Sequence, residues 1–445
     1  MKDFTTGKVT RQLLMFSGPL VLASLVQNLY NLVDSIIVGR FIGKEALAAV
    51  GASFPVIFTL ISFVIGIGSG ATTVVAQYFG ARDMQNVSRT VDTIFIFFFL
   101  ASIVVSVTGI VFSEDIFRLM GLPGEVIPEA KSYMNVYLSG MFLMFGVNGI
   151  GSVLRGVGDS KTPLYIVAGA AVLNTLLDLA FVLWMGWGVA AVALATILSH
   201  GTALLVSVAY LNRKHPVIHL SLRNLRFSAT IFRSCLRIGL PTGFQQSFVS
   251  LGMLAVMGIV TTFGTNAVAA YTAALRIDSF AKMPSFAFSS ALSTFTGQNV
   301  GANNLDRIRS GLRSTLFVSL LYSISVTILV VLFGQAMMKL FTTDKEVIRI
   351  GQDYLVIVSS FYVFFTAMFA YTGMLRGAGA TLVPMLITLL SLWVIRVPLS
   401  VYMADHFGVN GIWWALPVSW LMGLLATWGY YRSGKWRNKG VVGHS

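Results

Sequence analysis

The chain repeats itself at an interval of 221 residues. Leu154-Arg155-Gly156-Val157-Gly158 recurs as Leu375-Arg376-Gly377-Ala378-Gly379, Pro163 as Pro384, and Gly80-Ala81-Arg82 as Gly301-Ala302-Asn303. Ala46-Leu47-Ala48-Ala49 finds Ala267-Val268-Ala269-Ala270, while Glu125, Val126 and Tyr133 find Glu346, Val347 and Tyr354. Pro19 meets Pro241 after a slip of one residue. A register held over most of 445 residues requires two copies of one structural unit. In a membrane chain, paired repeats point to a transporter whose site lies where the copies meet.

The composition places those copies in a membrane. Hydrophobic residues make up 56% of the chain and charged residues 11%, against roughly 25% charge in a soluble domain. Twelve apolar stretches begin near Leu13, Ala46, Val87, Ile127, Thr162, Trp187, Phe232, Ala267, Ile308, Val347, Thr381 and Gly408. Each is long enough to cross about 30 Å of hydrocarbon. The runs are continuous rather than alternating, which selects helices over barrel strands. The fold class expected is all-α integral membrane, with twelve transmembrane helices in two six-helix repeats. Six is even, so the copies share one orientation and are parallel repeats.

The net charge of +14 is explained by topology rather than by nucleic acid. With the N-terminus inside, most Lys and Arg residues fall in the even-numbered loops and the tails, Arg82, Lys161, Arg213, Arg307 and Arg432 among them. That bias places both termini in the cytoplasm. The domain division expected is a lobe over 1–211, a basic linker over 212–232, a lobe over 233–432 and a tail over 433–445. Within the linker, Leu220, Leu222, Leu225 and Phe227 alternate with Arg223 and Arg226, either as a short interfacial helix or as a solvated connection. The first residues, Lys2 to Arg11, are polar and lack a cleavage pattern, so no signal peptide is expected. The single cysteine, Cys235, excludes an intrachain disulfide, and the five histidines have no metal-ligand spacing. No HExxH, GxSxG or Walker pattern occurs, so an enzyme is not expected and no cofactor is implied.

Residues that break the repeat are the better candidates for function. Asp34 faces Ala255 or Val256 in the other copy, Asp178 faces Leu399, and Asn174 faces Ile395. Conversely Arg276, Asp278, Lys282 and Arg396 stand where the first copy has Pro55, Ile57, Ile61 and Thr175. A carboxylate at membrane depth costs about 2.5–3.5 kcal/mol on insertion scales, so it needs a partner or a wet cavity. Asp34 lies 23 residues beyond Arg11, about 34 Å at helical rise. Asp178 lies 17 residues beyond Lys161, about 25 Å. Both therefore reach the outer half, and Asn174 sits one turn below Asp178 on the same face. Two carboxyls facing one cavity can take up a proton or hold a small hard cation; the alternative is two unrelated acids, each hydrogen-bonded for packing. Asp278 and Lys282 are four apart and suit an intrahelical ion pair. Pro19 and Pro241 each free a carbonyl inside a helix and mark candidate bends.

These features together resemble the multidrug and toxic compound extrusion (MATE) family of cation-coupled antiporters over essentially the whole chain. The carrying residues are Pro19, Asp34 and Gly39-Arg40-Phe41-Ile42-Gly43, then Ala46 to Gly51, Gln77-Tyr78-Phe79-Gly80-Ala81, Leu154 to Gly158 and Gln298-Asn299-Val300-Gly301-Ala302. The resemblance is strongest to the DinF-like branch. It implies an N-lobe cation site of Gln27, Asp34, Asn174, Asp178 and Thr196, with H⁺ or Na⁺ as coupling ion. Sodium would be held by Asp34, Asn174, Asp178 and Thr196. Asn148, Arg276, Asp278, Lys282 and Arg396 are the candidate substrate-cavity residues. The branch resembling norfloxacin pumps has acids in helices 7 and 10; here helix 7 reads Gln245-Gln246-Ser247-Phe248 and helix 10 has only Asp353, which favours the N-lobe site. The expected partner is a small organic substrate, cationic and amphipathic, with membrane lipids around a monomer in the prokaryotic inner membrane. A lipid or lipid-linked oligosaccharide flippase of the same superfamily is the alternative, its headgroup held by Arg276, Lys282 and Arg396.

Overall fold

The computed structural model describes residues 2–214, 218, 220 and 225–442. Among these there is no strand, and the long helices fall into the twelve spans expected. We label them α1 (Val9–Ile42), α2 (Lys44–Gly80), α3 (Met84–Val111), α4 (Ile127–Ser139 and Met141–Gly156), α5 (Lys161–Trp184) and α6 (Val189–Arg213). The second set is α7 (Ala229–Thr261), α8 (Thr265–Gly301), α9 (Leu305–Lys339), α10 (Lys345–Ser360 and Tyr362–Gly377), α11 (Leu382–Phe407) and α12 (Val409–Arg432). Nine are long and apolar enough to cross a membrane unaided, and each bent pair adds one. The twelfth, α8, carries Arg276, Asp278 and Lys282 but has the same 37-residue length as α2.

The repeat seen in the sequence recurs in the backbone. Asp83 and Asn304, 221 apart, both cap helix N-termini, accepting from Asn86 N at 3.0 Å and Arg307 N at 3.1 Å. Their neighbours Arg82 and Asn303 both take left-handed conformations, with φ of 59° and 54°. The bends in α4 and α10, 51° and 50°, fall at Gly140 and Phe361, again 221 apart. Wider π-helical turns break the symmetry: they occupy Val38–Ile42 in α1, Ala180–Trp184 in α5 and Leu390–Arg396 in α11. Such turns tend to sit at functional positions.

Two compact units divide the chain, but not at the linker. One comprises Met1–Lys2 and Pro19–Leu240, the other Asp3–Gly18 and Pro241–Ser445. Thus α1 begins in unit 2 and continues in unit 1, while α7 does the reverse, and each changes unit at its proline. This differs from the cuts at 211 and 233 read from the sequence, because the opening segments have their own partners. Phe4 is fully buried against Phe16 and Phe295, at 5.1 and 5.9 Å between ring centres. Its N–H donates to Gln298 Oε1 at 2.8 Å, and its carbonyl accepts from Arg307 Nε at 2.7 Å. In unit 1 the start of α7 lies close against α2: a Cβ on Gly70 would stand 2.3 Å from the Cys235 carbonyl, so only glycine permits that approach. The postulated interfacial helix involves Leu222 and Arg223, outside the described residues; residues 225–228 at its described end are not helical.

Unit 2 is centred on a tyrosine–tryptophan group. Tyr271 stacks on Trp413 at 5.1 Å, and Tyr354 meets both rings edge-on at 5.5 and 5.0 Å. The centre of unit 1 is aliphatic at one end, around Val75, Val91, Ile150 and Leu154.

Candidate functional site

Unit 1 brings together residues that are remote in sequence. Asp34 follows from α1 immediately before its π-helical turn, and Asp178 stands two residues before the one in α5. Asp178 and Asn174 are buried, at 0% and 1% exposure, and Asp34 is partly buried. The two carboxyls are electrostatic neighbours. Asn174 Nδ2 donates to Thr196 Oγ1 at 3.3 Å, and Tyr30 Oη lies 3.2 Å from the same oxygen. Thr196 in turn donates to the Val192 carbonyl of its own helix at 3.0 Å. Four buried oxygens are left without a hydrogen-bond partner: Asp34 Oδ1, both Asp178 oxygens and Asn174 Oδ1.

That is a donor-poor, oxygen-rich pocket. Buried acceptors without donors are expensive, and two ionised carboxyls side by side add repulsion. A proton shared by the pair, or a hard cation ligated by its oxygens, removes both costs. Among the described residues no group of three or more His, Cys, Asp or Glu side chains is arranged to hold a metal ion. The donor set here is two carboxylates with amide and hydroxyl oxygens.

Of the other residues singled out, Gln27 is exposed and lines a recess beside the site together with Tyr30, Asn174 and His200. Asn148 donates to Met144 O of its own helix at 3.0 Å, and its neighbour Val147, not Asn148, lines that recess. Tyr30, one turn from Asp34, was not singled out from the sequence, nor were Tyr133, Tyr137 and His200. The i,i+4 spacing of Tyr30 to Asp34 and of Thr196 to His200 carried the only signal.

Unit 2 places its charges in a different kind of cluster. Asp278, 2% exposed, receives Lys282 from the next turn, as the spacing suggested, and also the hydroxyls of Tyr354 and Tyr362. The Lys282 ammonium stands 4.9 Å from the Trp420 ring centre and 5.2 Å from that of Phe365. Asp278 is therefore a satisfied acid. Arg396 ends the π-helical turn of α11, donates from Nε to Ser419 Oγ at 2.8 Å and lies 5.9 Å from the Trp420 ring. It has no ion pair among the described residues, whereas Arg276 is exposed. Asp353 accepts from Asn410 at 3.3 Å, and Gln245 donates to Thr388 at 2.6 Å. Pro19 and Pro241 lie inside continuous helices at the unit boundaries.

Twelve helices in two like-oriented repeats, without a catalytic cluster, define a multi-pass membrane transporter and not an enzyme. The MatE family model matches the chain twice, over residues 19–180 and 241–402, each match opening at one of the two boundary prolines. The chain belongs to the MatE family. It is 32% identical over 438 residues to the probable multidrug resistance protein YpnP of Bacillus subtilis (strain 168), covering 98% of this chain and 97% of that one. It is 33% identical over 444 residues to the probable multidrug resistance protein YoeA of the same organism, covering 98% and 96%. An outward-facing multidrug resistance MATE family transporter of the MOP superfamily superposes with a TM-score of 0.91 at 26% identity, covering 98% of this chain and 99% of that one.

Proposed function

We propose that this transporter is a secondary-active antiporter that exports organic, cationic amphipathic compounds in exchange for inward H⁺ or Na⁺. Asp34, Asp178, Asn174 and Thr196, with Gln27 beside them, form its coupling site. The observation that carries the reading is the group of four unpartnered buried oxygens in unit 1. Such a group is costly when empty and relaxed when a cation fills it, so cation binding changes the stability of one state against another. Antiport needs substrate and cation to weaken each other's binding, and that coupling is reciprocal. Export then follows an alternating-access cycle in which cation entry from outside favours substrate release, with Pro19 and Pro241 as the bends that accommodate the change. The substrate cavity takes Asn148 from unit 1 and Arg276, Asp278, Lys282 and Arg396 from unit 2. The lobes are the six-helix repeats, in a monomer of a prokaryotic cell membrane. The basic bias of the even-numbered loops supports cytoplasmic termini.

A second reading has one specific observation in its favour. Arg396 carries a charge with no carboxylate partner, next to Lys282, and a basic group of that kind suits the anionic headgroup of a lipid or lipid-linked oligosaccharide. The experiment is transport of a cationic dye, ethidium, by protein reconstituted in liposomes, under an imposed proton gradient and then a sodium gradient. Wild type is compared with Asp34→Asn and Asp178→Asn. Gradient-driven transport that either substitution abolishes is expected, and the effective gradient names the ion. Dye transport indifferent to both substitutions overturns the coupling site. No dye transport combined with movement of a fluorescent anionic lipid between leaflets supports the second reading.

A further inference from the structure

The acid pair adjoins a recess of ≈30 Å³ formed entirely within unit 1. Its polar lining is Gln27 and Tyr30 from α1, Asn174 from α5, and Ser199 and His200 from α6. A space needs about 10–15 Å³ to accept one water, plus polar groups to bind it, and this recess meets both conditions. Neither the coupling site nor the substrate cavity described above uses His200.

The direction of the recess follows from helix positions. Thr196 belongs to the coupling site, and His200 lies one turn further toward the Arg213 end of α6. Gln27 lies two turns from Asp34 toward the Arg11 end of α1. Ile166 and Val167, also in the lining, lie beyond Asn174 toward Lys161. All three helices thus carry the recess toward their basic ends, the side that the charge bias assigns to the cytoplasm.

The ring has the chemistry for a relay. His200 Nδ1 lies 2.9 Å from the Thr196 carbonyl; a carbonyl only accepts, so Nδ1 bears hydrogen and Nε2 is left as the acceptor. The hydroxyl of Ser199 is already given to Ala195 O at 2.7 Å. The titratable groups on the elements packed around α6 are Tyr30 and Asp34 from α1, Tyr133, Tyr137 and Arg155 from α4, and Asp178 from α5. Arg155 donates to Ser152 of its own helix at 3.0 Å. The tyrosines are poor bases near neutral pH, which leaves the imidazole as the group able to take a proton from the acid pair and give it up again.

We propose that His200 relays the coupling proton from the Asp34–Asp178 pair to the cytoplasmic side through water in this recess. The proton leaves a carboxyl, crosses water to Nε2, and departs to water beyond, returning the ring to its neutral form; no bond other than those to hydrogen changes. The inference rests on the proton-coupled form of the function proposed above. It makes His200 specific to the half-cycle in which the cation is released.

The test uses reconstituted wild type, His200→Gln and, as a second route to the same end, Ala170→Phe, which fills the recess. Two ethidium fluxes are measured: transport driven by a proton gradient, and one-for-one dye exchange without a gradient, which needs no proton release. Driven transport is expected to fall at least about tenfold, and its rate between pH 5.5 and 8 to lose its dependence on internal pH, with exchange unchanged. Driven transport within twofold of wild type in both variants, with the wild-type pH profile, overturns the relay. Equal loss of both fluxes in both variants overturns it too, by making the role structural. Wild-type transport driven by sodium alone overturns the relay while sparing the antiporter, and a wild type with no driven transport overturns the underlying reading itself.

Discussion

Asp178→Asn separates a coupling acid from a structural one because the two roles predict opposite changes in stability. Asp178 is fully buried and neither of its oxygens has a donor, so with Asp34 ionised beside it the substitution removes an uncompensated buried charge. Removing buried charges of this kind stabilises by about 1–4 kcal/mol. An unfolding entropy of about 2.1 cal/mol/K per residue over 445 residues gives about 0.9 kcal/mol/K. Each kcal/mol thus moves the unfolding midpoint by about 1 °C. In detergent at pH 8 without sodium, the variant is expected to melt about 1–4 °C above wild type. That advantage disappears when a saturating cation, proton or sodium, already neutralises the wild-type pair. Transport moves the other way. A gradient of one pH unit stores about 1.36 kcal/mol per proton, enough for roughly a tenfold dye ratio with one coupled proton, and the variant should hold a ratio near one. A variant that melts several degrees lower at pH 8 and still sustains the tenfold ratio refutes the reasoning, since Asp178 would then be held by donors and play no part in coupling.

In unit 2 the expectation reverses: Lys282→Ala strands the buried Asp278 and should cost about 3–5 kcal/mol, read as a lower midpoint that adding Asp278→Asn partly restores. Arg307→Ala removes three hydrogen bonds, to Phe4 O, Thr6 O and Gln12 Oε1, at a cost of about 1.5–3 kcal/mol for a charged donor; faster proteolysis at the N-terminal segment is the accompanying sign. Arg82→Asn should stabilise by about 0.5–1 kcal/mol, because Asn adopts the left-handed conformation with less strain and already does so at the equivalent Asn303. Glu114, outside the spans, bridges Lys131 and Arg118, first Lys131 and then Arg118 holding its carboxyl below the usual range. Whatever stability that bridge lends is present above the ordinary carboxylate range and lost as pH falls through the depressed one. Being exposed it is screened, so Glu114→Gln should leave the midpoint at pH 7 unchanged in 0.15 M salt.

Much of this architecture was legible because a repeat is a control experiment written into one chain. Asp34, Asp178 and Asn174 stood out as polar residues where the other copy is apolar, and the structure gathers them in one unit. The i,i+4 pair Asp278–Lys282 was legible for the same reason, but its two tyrosines were not: Tyr354 and Tyr362 reach it from another helix, and no local spacing encodes that. Tyr354 even matches Tyr133 in the repeat, which hid its use. The exchange of opening segments was illegible for a related reason. Phe4 finds Gln298 and Phe295 nearly three hundred residues away, and periodicity reports which face is apolar, not what covers it. The bends at Gly140 and Phe361 leave hydropathy unchanged, so a continuous apolar run could not disclose them.

The places where α1 and α7 change unit also speak to how such a chain arises and how it can be taken apart. Each unit is completed by an arm that precedes the other unit's proline, which is the pattern of a domain-swapped homodimer whose two protomers have been fused end to end. A half-length ancestor built this way would have been an obligate pair from the outset, since neither copy could close its own fold. The same logic governs dissection today. Residues 1–211 and 233–445 made separately should each be left with a foreign arm and an unfilled groove, and should accumulate only when made together. A nick within the connection, by contrast, would sever the polypeptide without releasing either half.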